Sequence, residues 1–353
     1  MRRKIVAFAL SALTLAGCDA NPPEPLSGTF PALDEVAQAQ SVVLEDPADH
    51  PLGDVGFLVE IEEGFVLSDA LGPELRTYGN DGRLLARYEA FGQGPFEFLR
   101  IGGLATAPGR RLVVVDPRQG RVTFLEPDLT PDTLISPMRR PIGLVHGFRD
   151  GFIAATSGGA RRTLLSKFSA DWSEEWGIPG PSPGSMTEYP YWGSFARTLV
   201  AAGQDQVVMA YSFLYSLLVV DESGQVTDTI EFEAPGFRQA RVPEVGEFLG
   251  ALGQEALGQW FDSFDVISRI DVVADSLLVV TRGRIRSRSH SEFTTEDNSI
   301  DVFRLRDLSP LWWDVPLPEG ARVVGAGDRL HVLTGAAPEP LELTSFRFGR
   351  RDR

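Results

Sequence analysis

The sequence predicts an all-β protein, a six-bladed β-propeller whose ring is closed by a strand from the N-terminal end. Short β runs recur at spacings of about 40–55 residues, which is the range of propeller blades. Turn residues separate the runs throughout, and only one segment has a convincing helical pattern. The final unit is one strand short, and an unpaired run near the start of the domain supplies it. A β-sandwich is the competing all-β architecture, but it does not require this internal period.

Each repeating unit contains two recognisable runs. The first runs, which end in a small or polar residue, are Phe65–Asp69, Leu112–Asp116, Phe152–Thr156, Val207–Tyr211, Leu277–Thr281 and Leu330–Thr334. The second runs pass through Tyr78, Phe124, Phe168, Val219, Phe303 and Phe346. Turns such as Asn80-Asp81-Gly82 are typical of hairpins, because glycine readily adopts positive φ. Six units are therefore expected.

The two ends of the domain are predicted to share one blade. The last unit offers only three strands, Arg322–Val324, Leu330–Leu333 and Leu343–Phe348, while Ser41–Glu45 is a strand without a unit. Pairing Ser41–Glu45 with the last unit would complete that blade and protect the open edges of the ring. The propeller is accordingly assigned to residues 41–349, with a basic tail at 350–353.

Composition limits the classes of function. The chain has 353 residues, 43% of them hydrophobic, and a formal net charge of −16. So acidic a chain repels phosphate backbones, which argues against general nucleic-acid binding. The one cysteine, Cys18, has no intramolecular disulfide partner.

The N-terminal residues predict a lipoprotein signal. A positive segment, Met1–Lys4, precedes an apolar segment, Ile5–Leu13, that is too short to span a bilayer. Leu15-Ala16-Gly17-Cys18 then matches the bacterial lipobox, so residues 1–17 are expected to be removed and Cys18 lipidated. The proline-rich segment 18–40 is expected to form an extended tether. These features predict a lipid-anchored envelope protein on the periplasmic side; the choice between inner and outer membrane stays open.

The joint between the first two units carries the sharpest motif. It reads Gly92-Gln93-Gly94-Pro95-Phe96-Glu97-Phe98 and is followed by Leu112–Asp116 and Arg121–Phe124. This pattern resembles the bacterial six-bladed propeller lipoproteins related to NHL-repeat proteins, whose joint typically reads Gly-x-Gly-Pro-Gly-Glu-Phe. Phe96 stands where that family has its third glycine. The resemblance implies the propeller fold and implies little about activity, because the family mostly lacks defined activities.

An arginine strip is the first candidate site. Arg282, Arg284, Arg286 and Arg288, with His290, alternate along one predicted strand, and alternation places such side chains on one face. Guanidinium groups bind carboxylate or phosphate through paired donors, so the strip is a candidate anion-binding surface. The alternative is a solvated face paired with the acids Glu292, Glu296, Asp297 and Asp301 of the return strand.

Two further segments interrupt the repeat. The loop 186–195 carries Tyr189, Tyr191 and Trp192, which are suited to stacking on a sugar or gripping a peptide, or to packing between blades. Residues 243–262 have a helical apolar stripe weakened by four glycines. That short helical insertion is either a lid over the ring or a packing element.

No catalytic constellation is evident in the sequence. The four histidines, His50, His146, His290 and His331, have no metal-ligand spacing, and serine-nucleophile signatures are missing. Asp69 and Asp116 end equivalent runs, where metal binding is the alternative to capping a turn. With Asp271, they are the acids available to a metal-assisted lactonase-like hydrolase or a lyase.

The favoured function is a binding or scaffold module without enzymatic activity, metal or cofactor. It would be held to the membrane through Cys18 and would present one face to a protein, peptide or glycan partner in the envelope, with an anionic partner suited to the arginine strip. The alternative is the hydrolase or lyase just described, with its site in the central funnel. Fold alone does not choose between them.

Overall fold

The protein is a six-bladed β-propeller, and its described residues form 24 strands in six four-stranded antiparallel sheets. The computed structural model describes residues 31–47, 50–69, 71–106, 109–136, 142–156, 163–179, 198–240, 262–289, 292–335 and 340–349. In this part of the chain no helix is long and apolar enough to cross a membrane.

The chain enters the ring through α1 (Leu33–Val36) and β1 (Ala37–Val43). Blade one contains β2 Val55–Ile61, β3 Gly64–Asp69, β4 Glu74–Gly79 and β5 Leu84–Glu89. Blade two contains β6 Gly103–Thr106, β7 Leu112–Asp116, β8 Arg121–Leu125 and β9 Pro131–Ile135. Blade three contains β10 Ile142–Phe148, β11 Gly151–Thr156, β12 Thr163–Ser169 and β13 Glu174–Pro179.

The second half of the ring follows the same order. Blade four contains β14 Thr198–Ala202, β15 Val207–Tyr211, β16 Leu214–Val220 and β17 Val226–Glu231. Blade five contains β18 Asp265–Val273, β19 Leu277–Ser289, β20 Glu292–Arg304 and β21 Pro310–Pro316. Blade six contains β22 Arg322–Ala326, β23 Leu330–Thr334, β24 Glu342–Phe348 and, as its outer strand, β1.

The inner strands of the blades line a central channel. These are β2, β6, β10, β14, β18 and β22, and each contacts the inner strands of both neighbouring blades. We call the face on which the inner strands begin the upper face, and the face on which they end the lower face. Because every sheet is an antiparallel meander, connections between blades and between second and third strands also lie on the upper face.

The core consists of six apolar clusters, one between each pair of neighbouring blades in the described ring. Between blades three and four, for example, Ile153 packs with Met209. Both faces of every sheet are therefore covered, which explains the near-continuous apolar runs of the second strands, such as the fully buried Val113, Val114 and Val115. Removing a blade would expose two clusters at once.

The ring is closed by the N-terminal strand, as the sequence predicts. Strand β1 pairs antiparallel with β24 along its whole length, from Ala37 opposite Phe348 to Val43 opposite Glu342. The strand begins at Ala37 rather than at 41, so the folded domain starts inside the segment assigned to the tether. The repeat is also confirmed, because all six first runs lie in second strands and all six second runs lie in third strands.

A buried arginine fixes the connection that leaves the closing strand. The guanidinium of Arg76, whose side chain is 1% exposed, donates from Nη1 to Asp46 Oδ1 at 2.9 Å and from Nη2 to the carbonyl of His50 at 2.7 Å. Its Nε donates to Glu74 Oε1 at 2.7 Å. Arg76 lies in blade one, so it ties the segment from blade six onto the first blade of the ring.

The joint between blades one and two makes its turn despite Phe96. This phenylalanine adopts φ 62°, the left-handed conformation that the family resemblance assigns to glycine. Glu97 folds back over the joint and accepts a 2.6 Å hydrogen bond from Gly94 N. A Cβ on Gly92 would lie 2.0 Å from Glu97 Oε2, so close approach explains the first glycine.

We call the junction of blades six and one the seam. Replacing Arg76 by leucine should destabilise the ring at this junction. Arg76→Leu leaves Asp46 and Glu74 without their guanidinium in a largely buried site, and we expect the free energy of unfolding to fall by about 3–5 kcal/mol. Arg110→Leu is the matched control, since it breaks an exposed pair with Glu62 and should cost about 1 kcal/mol or less. Urea denaturation followed by tryptophan fluorescence measures both; equal losses would contradict a special role for Arg76.

A second contact at the seam, between Glu60 of blade one and His331 of blade six, predicts that the free energy of unfolding depends on pH. Burial raises the pKa of Glu60, but hydrogen bonds from His331 Nε2 (2.7 Å) and Asp328 N (2.9 Å) outweigh it and set the pKa below its usual 4.5. A carboxyl whose pKa is lowered by folding stabilises the native state above its usual pKa, and the stabilisation is lost as pH falls through the folded value. The cost of Glu60→Gln should therefore be largest at neutral pH and shrink below pH 4.5.

Denaturation midpoints measured from neutral pH to acid test this expectation. Glu222→Gln removes a carboxylate from an exposed pair with Arg149 and serves as the control. A cost of Glu60→Gln that stayed constant with pH would show that Glu60 acts through packing alone.

Candidate functional site

Several predicted site residues lie outside the described residues. They are Cys18, Tyr189, Tyr191, Trp192 and His290, together with all of the insertion 243–262 except Asp262. The backbone of Arg286 and Arg288 is part of β19, but their side chains are not described. The lipidation, aromatic-loop and insertion predictions therefore stay predictions.

Blade five is shifted by one residue relative to the predicted repeat. Residues such as Val66 and Ile153, second in their runs, pack toward the next blade. In blade five the residue that packs toward the next blade is Val279, third in its predicted run. The position that ends the run in blades one and two, Asp69 and Asp116, therefore corresponds to Arg282 rather than to Thr281.

Arg282 is buried in an ion-pair network at this end position. Its side chain is 4% exposed, and its Nε lies 2.9 Å from Asp301 Oδ2 while Nη2 lies 3.0 Å from Asp314 Oδ1. Nη2 also donates to the carbonyl of Pro235 at 2.9 Å, and the hydroxyl of Tyr215 donates to Asp301. Because it is buried between two carboxylates and the carbonyl of Pro235, Arg282 joins blades four and five and does not face a ligand.

Burial shifts the pKa of two groups at the centre of this network, Asp301 and Tyr215. Burial raises the pKa of Asp301, although Arg282 opposes the change. Burial likewise raises the pKa of the Tyr215 hydroxyl, and the neighbouring Asp301 raises it further. Tyr215 therefore stays protonated and donates its hydrogen bond across the blade interface.

Beyond Arg282, the second and third strands of blade five leave the ring as an arm. The last pair between β18 and β19 is Asp265 with Arg284, and the last pair between β20 and β21 is Ser299 with Pro316. We define the blade-five arm as residues 285–289 and 292–298, a two-stranded ribbon on the upper face. Its five β19 residues span about 16 Å at the usual strand rise. Arg284 is exposed at the base of the arm.

The end-of-run aspartates are turn caps, as the sequence favours. Asp69 accepts from Gly53 N at 2.7 Å and from Leu71 N at 2.8 Å. Asp116 accepts in the same way from Leu99 N at 2.7 Å and from Arg118 N at 2.8 Å. Each carboxylate thus holds the following turn and also the connection that leads into the inner strand of its own blade.

The channel wall carries two ionisable residues at one level. In each blade, one residue of the second strand near the start of its run faces the next blade, and it pairs with one residue of the inner strand. In blades one to six, in order, these inner-strand partners are Val59, Ala105, His146, Ala201, Asp271 and Gly325. His146 and Asp271 come from blades three and five, so their side chains approach each other only within the ring. Burial lowers the pKa of His146 to about 4, while Asp271 raises it and Arg269 lowers it.

Arg269 and Arg322 carry guanidinium groups nearer the upper face. They lie on adjacent inner strands. Arg269 pairs with Thr281 and Arg322 pairs with Leu333, and each of these partners comes just before the end of its second-strand run. Arg269 Nε donates to Asp271 Oδ2 at 2.6 Å, and Arg322 Nη1 donates to Asp54. Burial lowers the pKa of Arg322.

The acids named for an enzyme site do not converge. Asp69 and Asp116 are held by backbone N–H groups in separate blades, and Asp271 is paired with Arg269 in the channel. Within the described ranges, no group of three His, Cys, Asp or Glu side chains is arranged to hold a metal ion. The channel nevertheless collects His146, Asp271 and two arginines, a set that only the ring closure brings together.

Sequence reasoning missed three of these four channel residues. It named Asp271, but it noted His146 only for its lack of metal spacing and did not single out Arg269 or Arg322. The available signal was local, since His146 and Asp271 interrupt inner strands that otherwise read apolar at their level. Aligning the inner strands through their pairing with the second strands makes the interruption visible.

Comparison with known proteins supports the fold. No protein-family model and no curated protein matches the sequence. A protein from Bacteroides fragilis described as exported matches with a TM-score of 0.61 and 11% identity over 91% of this chain and 98% of its own. A member of the DUF4221 family from Bacteroides vulgatus matches with a TM-score of 0.60 and 11% identity over 89% and 98%. At such identities the likeness concerns the fold alone.

Single replacements of Arg282 and Arg284 should change the free energy of unfolding by different amounts. Arg282→Ser leaves Asp301 buried without its cation, so we expect the free energy of unfolding to fall by about 3–5 kcal/mol. Arg284→Ser changes an exposed residue two positions away, and we expect a change of about 0.5 kcal/mol. Chemical denaturation of the two variants measures the difference, and a similar effect of both would contradict the network described for Arg282.

Proposed function

We propose that the protein is a partner-binding propeller of the cell envelope, anchored through lipidated Cys18, which uses the blade-five arm to bind an anionic protein, peptide or glycan. The observation that carries the proposal is the arm itself. Its strands are 13 residues each, whereas the equivalent strands of the other blades have 5 to 7. Ring packing does not require this extra length.

The base of the arm is rigid. Arg282, Asp301 and Asp314 connect β19, β20 and β21 through buried charged contacts, and Tyr215 adds a contact from blade four. A partner that binds the arm would therefore meet a surface held in place by two blades. Such preorganisation lowers the entropic cost of binding.

The arginines of the arm support an anionic partner. Arg284 lies at its base, and Arg286 and Arg288 follow in the same strand. The return strand carries the acids Glu292, Glu296 and Asp297, so the proposed attraction comes from the paired donors of the guanidinium groups and not from a net positive charge. The exported structural neighbour from Bacteroides fragilis and the lipobox at Leu15–Cys18 both support a location in the envelope.

Affinity capture from detergent-solubilised envelopes tests this function. Arg284→Ser/Arg286→Ser should lose the captured partner, and binding of the isolated partner should weaken by about tenfold or more because charged hydrogen bonds are lost. Arg110→Ser/Arg306→Ser is the matched control, since it removes two exposed arginines from the lower face. Undiminished capture by the arm variant, or equal loss in the control, would overturn the proposal.

A further inference from the structure

Arg322 joins blade six to the connection before β2 through Asp54, but the ion pair of Arg269 with Asp271 is not explained by the architecture of the ring. Elsewhere in the molecule, buried ions join elements, as Arg76 joins the closing segment to blade one and Arg282 joins blades four and five. The ion pair of Arg269 with Asp271 lies within one strand, β18, and so joins no two elements. Burying charges costs free energy, which calls for another reason for their presence.

Both channel guanidinium groups keep donors for a further partner. Arg269 uses Nε for Asp271, and Arg322 uses Nη1 for Asp54. Their remaining N–H groups have no hydrogen-bond partner among the described residues. These nitrogen atoms are not fully buried, so a ligand or solvent can reach them. The side chains are 23% and 38% exposed. Arg269 acts on the pKa of His146 in blade three, so it faces the channel, and Arg322 lies at the same level of the adjacent inner strand.

The residues around the two guanidinium groups indicate which class of ligand would fit. At the level of these arginines, the inner strands of blades one and three carry Phe57 and Leu144, which are half-buried apolar residues. Their second-strand partners, Ser68 and Ala155, precede the run ends in the same way. Two guanidinium groups with free planar donors match a carboxylate. His146 adds a largely uncharged imidazole, because its pKa lies near 4. An apolar body with one anionic end fits this combination.

We propose that the upper half of the channel binds a small organic carboxylate, held at its anionic end by Arg269 and Arg322 and enclosed at its apolar body by the channel wall. Asp271 positions Arg269 through its bond to Nε, and His146 lies next to the bound ligand. This site is separate from the blade-five arm, so either proposal stands without the other.

The probes are acetate, isovalerate and benzoate, each compared with its uncharged amide of the same shape. The full chain is used in detergent, and binding is followed by the NMR resonances of the His146 ring, assigned with His146→Gln. Isovalerate or benzoate should shift these resonances and raise the pKa of His146, because a nearby anion favours the imidazolium. The amides should not. A role of the arginines in packing alone would produce no difference between acid and amide.

Arg269→Gln should weaken carboxylate binding by about tenfold or more. Arg306→Gln, an exposed change on the lower face of the same blade, should leave it unaltered. Thermal unfolding establishes that both variants are folded, and if Arg269→Gln is not, Arg322→Gln takes its place and the wild-type comparison of acid with amide still decides. Absence of any response to all three carboxylates, or equal responses to acids and amides, would overturn the site.

Discussion

The structure depends on the pairing of β1 with β24. A propeller that is not closed leaves two sheet faces and two strand edges open, and here the closing strand is separated from its partner by almost the whole sequence. Loop closure over such a distance is entropically costly, so the seam requires strong local contacts. Arg76, Glu60 and His331 provide them, and the apolar cluster of blades six and one completes them.

The fold was predictable because each blade solves the same packing problem with the same pattern. Runs such as Leu112–Asp116 must be apolar on both sides, and their ends must satisfy a turn, which makes the repeat visible in the sequence. The closing strand was predictable by elimination, since Ser41–Glu45 had no unit of its own. Phe96 shows the limit of motif reading, because the local contacts of Glu97 hold a conformation that its residue type disfavours.

The site was less predictable because its residues are defined by three-dimensional neighbours. Arg282 and Arg284 are alike in sequence, yet Arg282 is buried against Asp301 and Arg284 is exposed at the base of the arm. Position along the strand decides this, because Arg282 and Tyr215 of blade four both bind Asp301, whereas Arg284 is the last residue of β19 to pair with β18. His146 and Asp271 are 125 positions apart in the chain numbering and meet only because the blades form a ring.

The direction of β1 also bears on the orientation of the molecule at a membrane. The chain enters β1 at Ala37, opposite Phe348, which is the end of β24 farthest from the upper face. A lipid anchor preceding that point would attach on the lower side of blade six. The upper channel opening and the blade-five arm lie on the opposite face, so both stay clear of the attachment. The strand that closes the ring thus also separates the point of attachment from the surfaces proposed to bind.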